Sequence, residues 1–498
     1  MRGFIRIFPL IGKKYLWLFG LMSLFIMVGA VVSADDHFNR PYHAVPGLID
    51  IRSTFSDGVH TIEELVQMAR SRGFRVLFIN DHDHISLSYG IYPFRNVLRY
   101  KKTFPSIKTH GPEQFLAEIR RVSEKYPDMI IIPGCETAPF YYWSGSWTKK
   151  NLTVHDIDRK LLIINFTRPD DYKYIPNIGN TLSLRYTKKL LPGVAFYIVP
   201  LLIGFILLKW KGRFRYIAVL LILFSLLSII DWNPFRSSPF SPYHGDQGMA
   251  PFQEVIRYVN ERGGLSFWNY PEQRSGKRKY GPIHVDTPPY PEVIKDSYGY
   301  TGFAAIYGDW FSITDPGREW DTVLDDYCRN KRKRPPWGIS AADFHEDSRH
   351  GQKLGSFPTV FLTGTLSKEG VLEAMKNGRM YCSRGNADIW PKLDYFHIYG
   401  DGDQKAFMGE TLKTSRYPII RFRVSYNNHQ KAKMAVHLIR GGTLLQTFSS
   451  ETPMEVAYVD KEIPRGKKTF YRLLDAKKNL ASNPIFVEYH PPDSEPPR

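Results

Sequence analysis

The sequence predicts an α/β fold: a parallel-sheet barrel interrupted by a transmembrane hairpin and followed by an all-β, sandwich-like domain. Three observations predict it. Short apolar strands alternate with amphipathic helices on both sides of residues 189–231. That middle stretch is apolar over the length of two bilayer spans. Beyond Gly385 the helices stop, and short alternating runs parted by turn residues take over. At 498 residues the chain is long enough for two or three cores.

Taken in order, residues 1–34 hold an uncharged apolar run, Tyr15 to Val32, behind Arg2, Arg6, Lys13 and Lys14. Either a cleaved signal peptide or a signal anchor fits, since the small residues Ser33 and Ala34 follow. Residues 45–188 form the first part of the barrel. Thr61 and Glu64 make a capping box that opens a helix to Arg72, with Ile62, Leu65, Val66 and Ala69 on one face. Val76–Ile79 is an unbroken apolar run, the mark of a strand buried on both faces. A second helix runs from about Pro112 to Lys125, and Met129–Pro133 and Lys160–Phe166 read as strands.

Leu190 to Leu208 carries no charge over nineteen residues, and Tyr216 to Ile230 is apolar again. Lys209, Lys211, Arg213 and Arg215 lie between, which puts that turn on the cytoplasmic side. The barrel and the C-terminal domain then share the extracytoplasmic side of a cell or inner membrane. The plainer alternative, a buried core hairpin, suits shorter segments. Over residues 245–385 the alternation resumes: a helix through Phe252 and Val259, strands at Leu265–Asn269, Phe303–Tyr307 and Trp337–Ala342, and helices at Thr322–Asn330 and Val371–Lys376. Residues 386–490 are the sandwich-like domain, in which Ile420, Phe422 and Val424 alternate with Arg421 and Arg423. The Pro-rich residues 491–498 read as a disordered tail.

The formal charge of +18 is spread along the chain and concentrated beside the apolar segments. This suits a lipid membrane surface and a phosphorylated small molecule or other anionic ligand. No nucleic acid is expected, because no zinc-finger spacing, basic helix or aromatic stacking motif is present. The three cysteines, Cys135, Cys328 and Cys382, form no CxxC and no even set, which argues against a disulfide framework or a thiolate zinc cage.

Four polar clusters fall at expected strand ends: Ser56-Asp57-Gly58, Asp81-His82-Asp83, Cys135-Glu136 and Asp343-Phe344-His345. Ligands collect at the carboxyl ends of such strands. Carboxylates with imidazoles suit a divalent zinc, manganese or iron, and a metal shared through Glu136 would activate a water for ester hydrolysis. Each cluster alone is as well explained by a polar cap on a strand; four in barrel order are more specific.

These clusters resemble the PHP (polymerase and histidinol phosphatase) family. The resemblance rests on Ile51-Arg-Ser-Thr-Phe-Ser-Asp-Gly58, Ile79-Asn-Asp-His-Asp83, Gly134-Cys-Glu136, Ser340-Ala-Ala-Asp-Phe-His345 and Gly378-Arg-Met-Tyr381. It implies a distorted (β/α)7 barrel, hydrolysis of phosphate esters and a metal cluster. By that match Asp57, His82, Glu136, Asp343, His345 and Asp50 stand where the family places metal ligands. Glu136 and Asp343 would serve as ligand or base, and Asp81 would orient the His82 ring. The chain departs from the family at Asp50 and Arg52, which replace a His-x-His pair, at Tyr270, which replaces a histidine before Pro271, and at Lys160. A guanidinium cannot ligate a metal. Arg52 and Lys160 are therefore expected to bind substrate phosphate, leaving one metal per chain. Two functions follow: a membrane-anchored phosphoesterase with a reduced metal site, or a non-catalytic PHP-like domain that binds an anionic ligand or protein partner.

Overall fold

A computed structural model describes residues 42–274, 276–348 and 353–491. The expectations for residues 1–34 and for the end of the tail lie outside the described residues. The described residues from Ala44 onward form one compact unit.

The elements of the α/β region, in chain order, are β1 (His43–Ile51), α1 (Ile62–Ser71), β2 (Val76–Ile79), β3 (Ser86–Gly90), β4 (Arg99–Thr103), α2 (Pro112–Lys125) and β5 (Ile130–Thr137). Next come β6 (Tyr142–Ser144), β7 (Thr153–His155), β8 (Lys160–Ile164) and the short α3 (Pro169–Lys173). Two long helices follow, α4 (Thr187–Leu207) and α5 (Arg213–Trp232), then α6 (Ala250–Glu261), β9 (Leu265–Asn269), β10 (Gly276–Tyr280), β11 (Ile283–Thr287) and β12 (Gly302–Ile306). The last are α7 (Glu319–Cys328), β13 (Trp337–Ser340), β14 (Pro358–Thr363), α8 (Lys368–Asn377) and β15 (Met380–Ser383). The capping box at the start of α1 is present, with Thr61 and Glu64 exchanging hydrogen bonds, and Ile62, Leu65, Val66 and Ala69 are its buried face.

Seven strands follow one another in the order β1-β2-β5-β8-β9-β12-β13. The residues after β13 return to β1: the Ala342 and Phe344 amides donate to the Ile49 and Asp50 carbonyls at 3.1 Å, and the Arg52 amide donates to Phe344 at 2.9 Å. The sheet is not wholly parallel as expected. β8 runs antiparallel to both β5 and β9. The segment between β5 and β8 folds into the β6–β7 hairpin and supplies no crossover helix, which a parallel return needs. Phe78, Ile132, Leu162, Phe267, Ala304 and Ile339 are among the residues that fill the core beneath the strand ends.

The expected break near Gly385 does not interrupt the sheet. β15 pairs with Leu480–Ser482, and through it the sheet continues to Lys468–Asp475, Lys433–Arg440 and Thr443–Glu451. A second sheet, built on Pro391–Tyr399, Ile419–Tyr426 and Met454–Val459, packs over it, and Phe396, Phe422, Val436 and Leu473 share that core with Val360 and Tyr381 of β14 and β15.

Helices α4 and α5 are long and apolar enough to cross a membrane, with mean hydropathies of 2.4 and 2.1, and most of their surface is exposed. They pack closely because glycines allow it. A Cβ on Gly204 would lie 2.7 Å from Ile222, and one on Gly193 would lie 2.2 Å from the Trp232 ring. The Trp232 indole donates to the Leu190 carbonyl at 2.8 Å, closing the hairpin at its barrel end.

Candidate functional site

The carboxyl ends of β1, β2, β5, β9 and β13 bring the expected polar residues together. Asp50, next to last in β1, lies within a register shift, with φ of 69°; Tyr270 and Asp343 also adopt positive φ, 47° and 48°. Left-handed non-glycine residues are costly and cluster at functional sites, and these three lie around one centre. A parallel bridge between His82 and Glu136 holds the tip of β2 beside β5.

The centre is the Arg52 guanidinium, which is wholly buried. One amino group lies 2.6 Å from Asp50 Oδ1 and also donates to the Asn80 carbonyl; the other lies 2.8 Å from Glu136 Oε2 and 3.7 Å from Asp343 Oδ1. Lys160 adds a second cation, with Nζ 2.9 Å from the same Glu136 oxygen, and His82 Nδ1 lies 3.1 Å from it. Asn269 donates to Asp50 at 2.9 Å and to Glu136 at 2.7 Å, and the Tyr270 hydroxyl donates to Asp50. Burial acts to raise the Glu136 carboxyl, but Arg52, Lys160 and His82 hold it well below the ordinary range. Burial pushes Asp50 up, past the opposing pull of Arg52. Burial acts against a charged His82, yet its contacts with Asp57 and Glu136 raise its pKa. Asp50, Glu136 and Asp343 thus face Arg52, Lys160 and an imidazole biased towards its cation, so the cluster is close to neutral by itself.

Asp57 stands apart from this cage. Its side chain is 46% exposed, with Oδ2 3.0 Å from His345 Nε2 and Oδ1 3.4 Å from His82 Nε2. Burial opposes ionisation, but hydrogen bonds from His345 and His82 outweigh it and depress the Asp57 pKa strongly. Asp57 and His82 form part of the floor of a cavity of about 320 Å³, walled by Lys160, Phe104, Tyr280 and Arg278. Arg278 is paired to Asp158 at 2.7 Å, and Lys102 donates to the Tyr280 hydroxyl at 2.8 Å, tying β4 to β10.

Two expected roles change. Asp81 does not orient His82: its carboxylate accepts from the Ser53 amide at 2.8 Å, the Ser53 hydroxyl at 2.7 Å and the Ser56 hydroxyl at 2.5 Å. It pins the turn that carries Asp57. Arg52 is in no position to clamp a phosphate, because it has no exposed surface and its charge is engaged by Asp50 and Glu136. Asn269 and Ser53 were missed by sequence reasoning. Asn269 had a signal, as the polar end of an apolar run; Ser53 had none.

The donor set does not suit the metal cluster that the resemblance implies. Arg52 fills the space between Asp50, Glu136 and Asp343, and its fixed charge repels a cation there. Among the described residues, no group of three or more His, Cys, Asp or Glu is arranged to hold a metal ion.

No family model matches the chain, and no curated protein does. Solved structures similar to it include a two-domain Bacteroides vulgatus protein containing a predicted PHP-like metal-dependent phosphoesterase (10% identity, TM-score 0.36, 91% of this chain and 99% of that one). A candidate metal-dependent phosphoesterase from Bifidobacterium adolescentis matches at 16% identity and TM-score 0.25 over 61% of this chain and 88% of that one. An amidohydrolase from Chromobacterium violaceum, with bound sulfate and no metal, matches at 13% identity and TM-score 0.27 over 61% and 88%. At these identities and TM-scores the likeness assigns no activity to this chain.

Proposed function

We propose that the chain is a membrane-anchored, extracytoplasmic PHP-like domain that binds an anionic ligand without turning it over. One observation carries this reading: the buried Arg52 guanidinium bridges Asp50 and Glu136, so the centre that would hold metals is already charge-balanced. The basic residues that can meet a ligand lie on the exposed strands flanking the cavity, Arg99, Lys101 and Lys102 on β4 and Lys277, Arg278 and Lys279 on β10. Such a rim raises the local concentration of anions. Helices α4 and α5 supply the anchor.

A second reading, a phosphoesterase with a single metal, is favoured by Asp57, whose half-exposed carboxylate meets two imidazoles at the cavity floor. Binding an ion there requires Asp57 to exchange its imidazole contacts for the metal. A phosphate-ester turnover screen on the full-length protein in detergent, with Asp57→Ala and His345→Ala alongside, separates the two. The non-catalytic reading expects no turnover that depends on either residue. Turnover in wild type that both variants abolish would establish the hydrolase.

A further inference from the structure

The hairpin β3–β4 leaves the barrel and reaches the membrane helices. Phe94, in its loop, packs its ring 5.6 Å from that of Phe224 in α5. Phe224 lies eight residues before Trp232, the end of the helix. At 1.5 Å per residue that is about 12 Å from the end of the helix. Ile91, Tyr92 and Leu98 of the same loop are also apolar and exposed. The loop is latched by Asp231, whose carboxylate accepts from the Asn96 amide at 2.6 Å and the Val97 amide at 3.0 Å.

A cavity of about 350 Å³ lies at this junction. Its wall on the membrane side includes Leu182 and Ile230, which are 61% and 62% exposed. Its other walls carry Arg99 and Arg236. Arg236 lies with its guanidinium carbon 5.3 Å from the Trp232 ring centre; its Nη2 donates to the Pro239 carbonyl at 3.2 Å, and its buried Nε has no hydrogen-bond partner. Among the described residues neither arginine is paired with a carboxylate. Behind them Lys101 and Lys108 both donate to the carbonyl of Gly179, a wall residue, at 3.4 and 3.1 Å, again without a carboxylate. The one acid in the wall, Asp231, is engaged by the loop amides. Two arginines thus line a cavity whose one carboxylate is held by the loop amides, with two lysines behind its Gly179 wall, at the level where a helix leaves the bilayer. The buried Arg236 Nε, left without an acceptor, is unfavourable unless a ligand supplies one.

We propose that this cavity seats the phosphate of an anionic phospholipid, with Arg99 and Arg236 as its ligands and the acyl chains lying along Ile230 and Leu182. The exposed apolar side chains Leu182 and Ile230 in the wall favour a lipid over a free phosphate, which needs the cations alone. The proposal concerns a cavity apart from the one over Asp57 and rests on the reading of α4 and α5 as spanning helices; it does not depend on whether the barrel hydrolyses anything.

The test uses the full-length protein in nanodiscs of equimolar phosphatidylglycerol and phosphatidylcholine, released into the gas phase so that retained lipids are counted by mass. Wild type is expected to retain phosphatidylglycerol in preference to phosphatidylcholine. Arg99→Gln/Arg236→Gln is expected to lose that retention about tenfold or more, as removal of hydrogen bonds to a charged group implies. Lys461→Gln/Lys467→Gln, which removes equal charge from exposed loops of the C-terminal strands, is expected to behave as wild type. Equal retention in the arginine variant with an unchanged melting temperature, or no preference between the lipids, overturns the proposal. Displacement of the lipid by millimolar inorganic phosphate overturns it in favour of a soluble anion. Extraction of the protein from membranes by alkaline carbonate would refute the spanning reading itself, whereas an integral protein without lipid preference refutes only the site.

Discussion

Arg52 is the residue on which the site turns. Removing it leaves Asp50 and Glu136 buried with one cation fewer, so Arg52→Ala is expected to destabilise the fold by about 3–5 kcal/mol in denaturant unfolding. Loss of under about 1 kcal/mol would mean that the cage is open to water. Asp83, one residue beyond His82, gives a pH signature. Burial pushes its carboxyl up to about 7 from an ordinary 3.8. The folded chain therefore holds a proton that the unfolded chain releases, and stability falls as pH rises from about 4 to about 7. The span of roughly three pH units corresponds to about 4 kcal/mol. Asp83→Asn is expected to remove this slope, matching wild type near pH 4 and exceeding it near pH 7; parallel slopes would contradict the assignment. Asp57, His82, Glu136, Asp343 and His345 were legible as a group because chemistry-bearing types sit where apolar runs end. The cage was not, because sequence shows that Arg52 cannot ligate a metal but not that its guanidinium turns inward between two carboxylates. Asp81 was misjudged for a related reason: its partners Ser53 and Ser56 lie in the turn after the neighbouring strand β1, and nothing in their spacing singles them out.

Periodicity located α1, α2 and the central strands because each buries one face or both. It could not give the direction of β8, which depends on whether residues 138–159 form a helix or a hairpin, and short polar segments carry little period. Nor did it show that the C-terminal strands join the barrel sheet. That junction is held by a buried bidentate pair: Arg472 in the strand Lys468–Asp475 donates to Asp321 of α7 at 2.6 and 2.7 Å. Asn483 seconds it, accepting from the Gly338 amide at 2.8 Å and donating to the Met380 carbonyl at 2.8 Å. Arg472→Met is expected to cost about 3–5 kcal/mol, and Arg472→Met/Asp321→Leu to recover most of it, since a buried pair replaced by apolar groups is often neutral. A double-mutant cycle with no coupling would contradict the junction.

At the scale of the whole molecule, the barrel, the helical hairpin and the C-terminal strands form one connected unit. Because β15 depends on Leu480–Ser482 for its edge, and Val360 and Tyr381 belong to the second core, a chain ended after Arg384 is expected to aggregate. Recovery of that fragment as a soluble, cooperatively melting protein in detergent would contradict this. Whether fixed cations have taken the place of metals is decided by elemental analysis. The full-length protein, incubated with zinc, manganese or iron and then freed of unbound ion, is measured alongside His82→Ala. With Arg52 and Lys160 in the metals' place, neither protein is expected to retain stoichiometric metal; one metal per chain in wild type, lost in His82→Ala, would show that the centre still binds one.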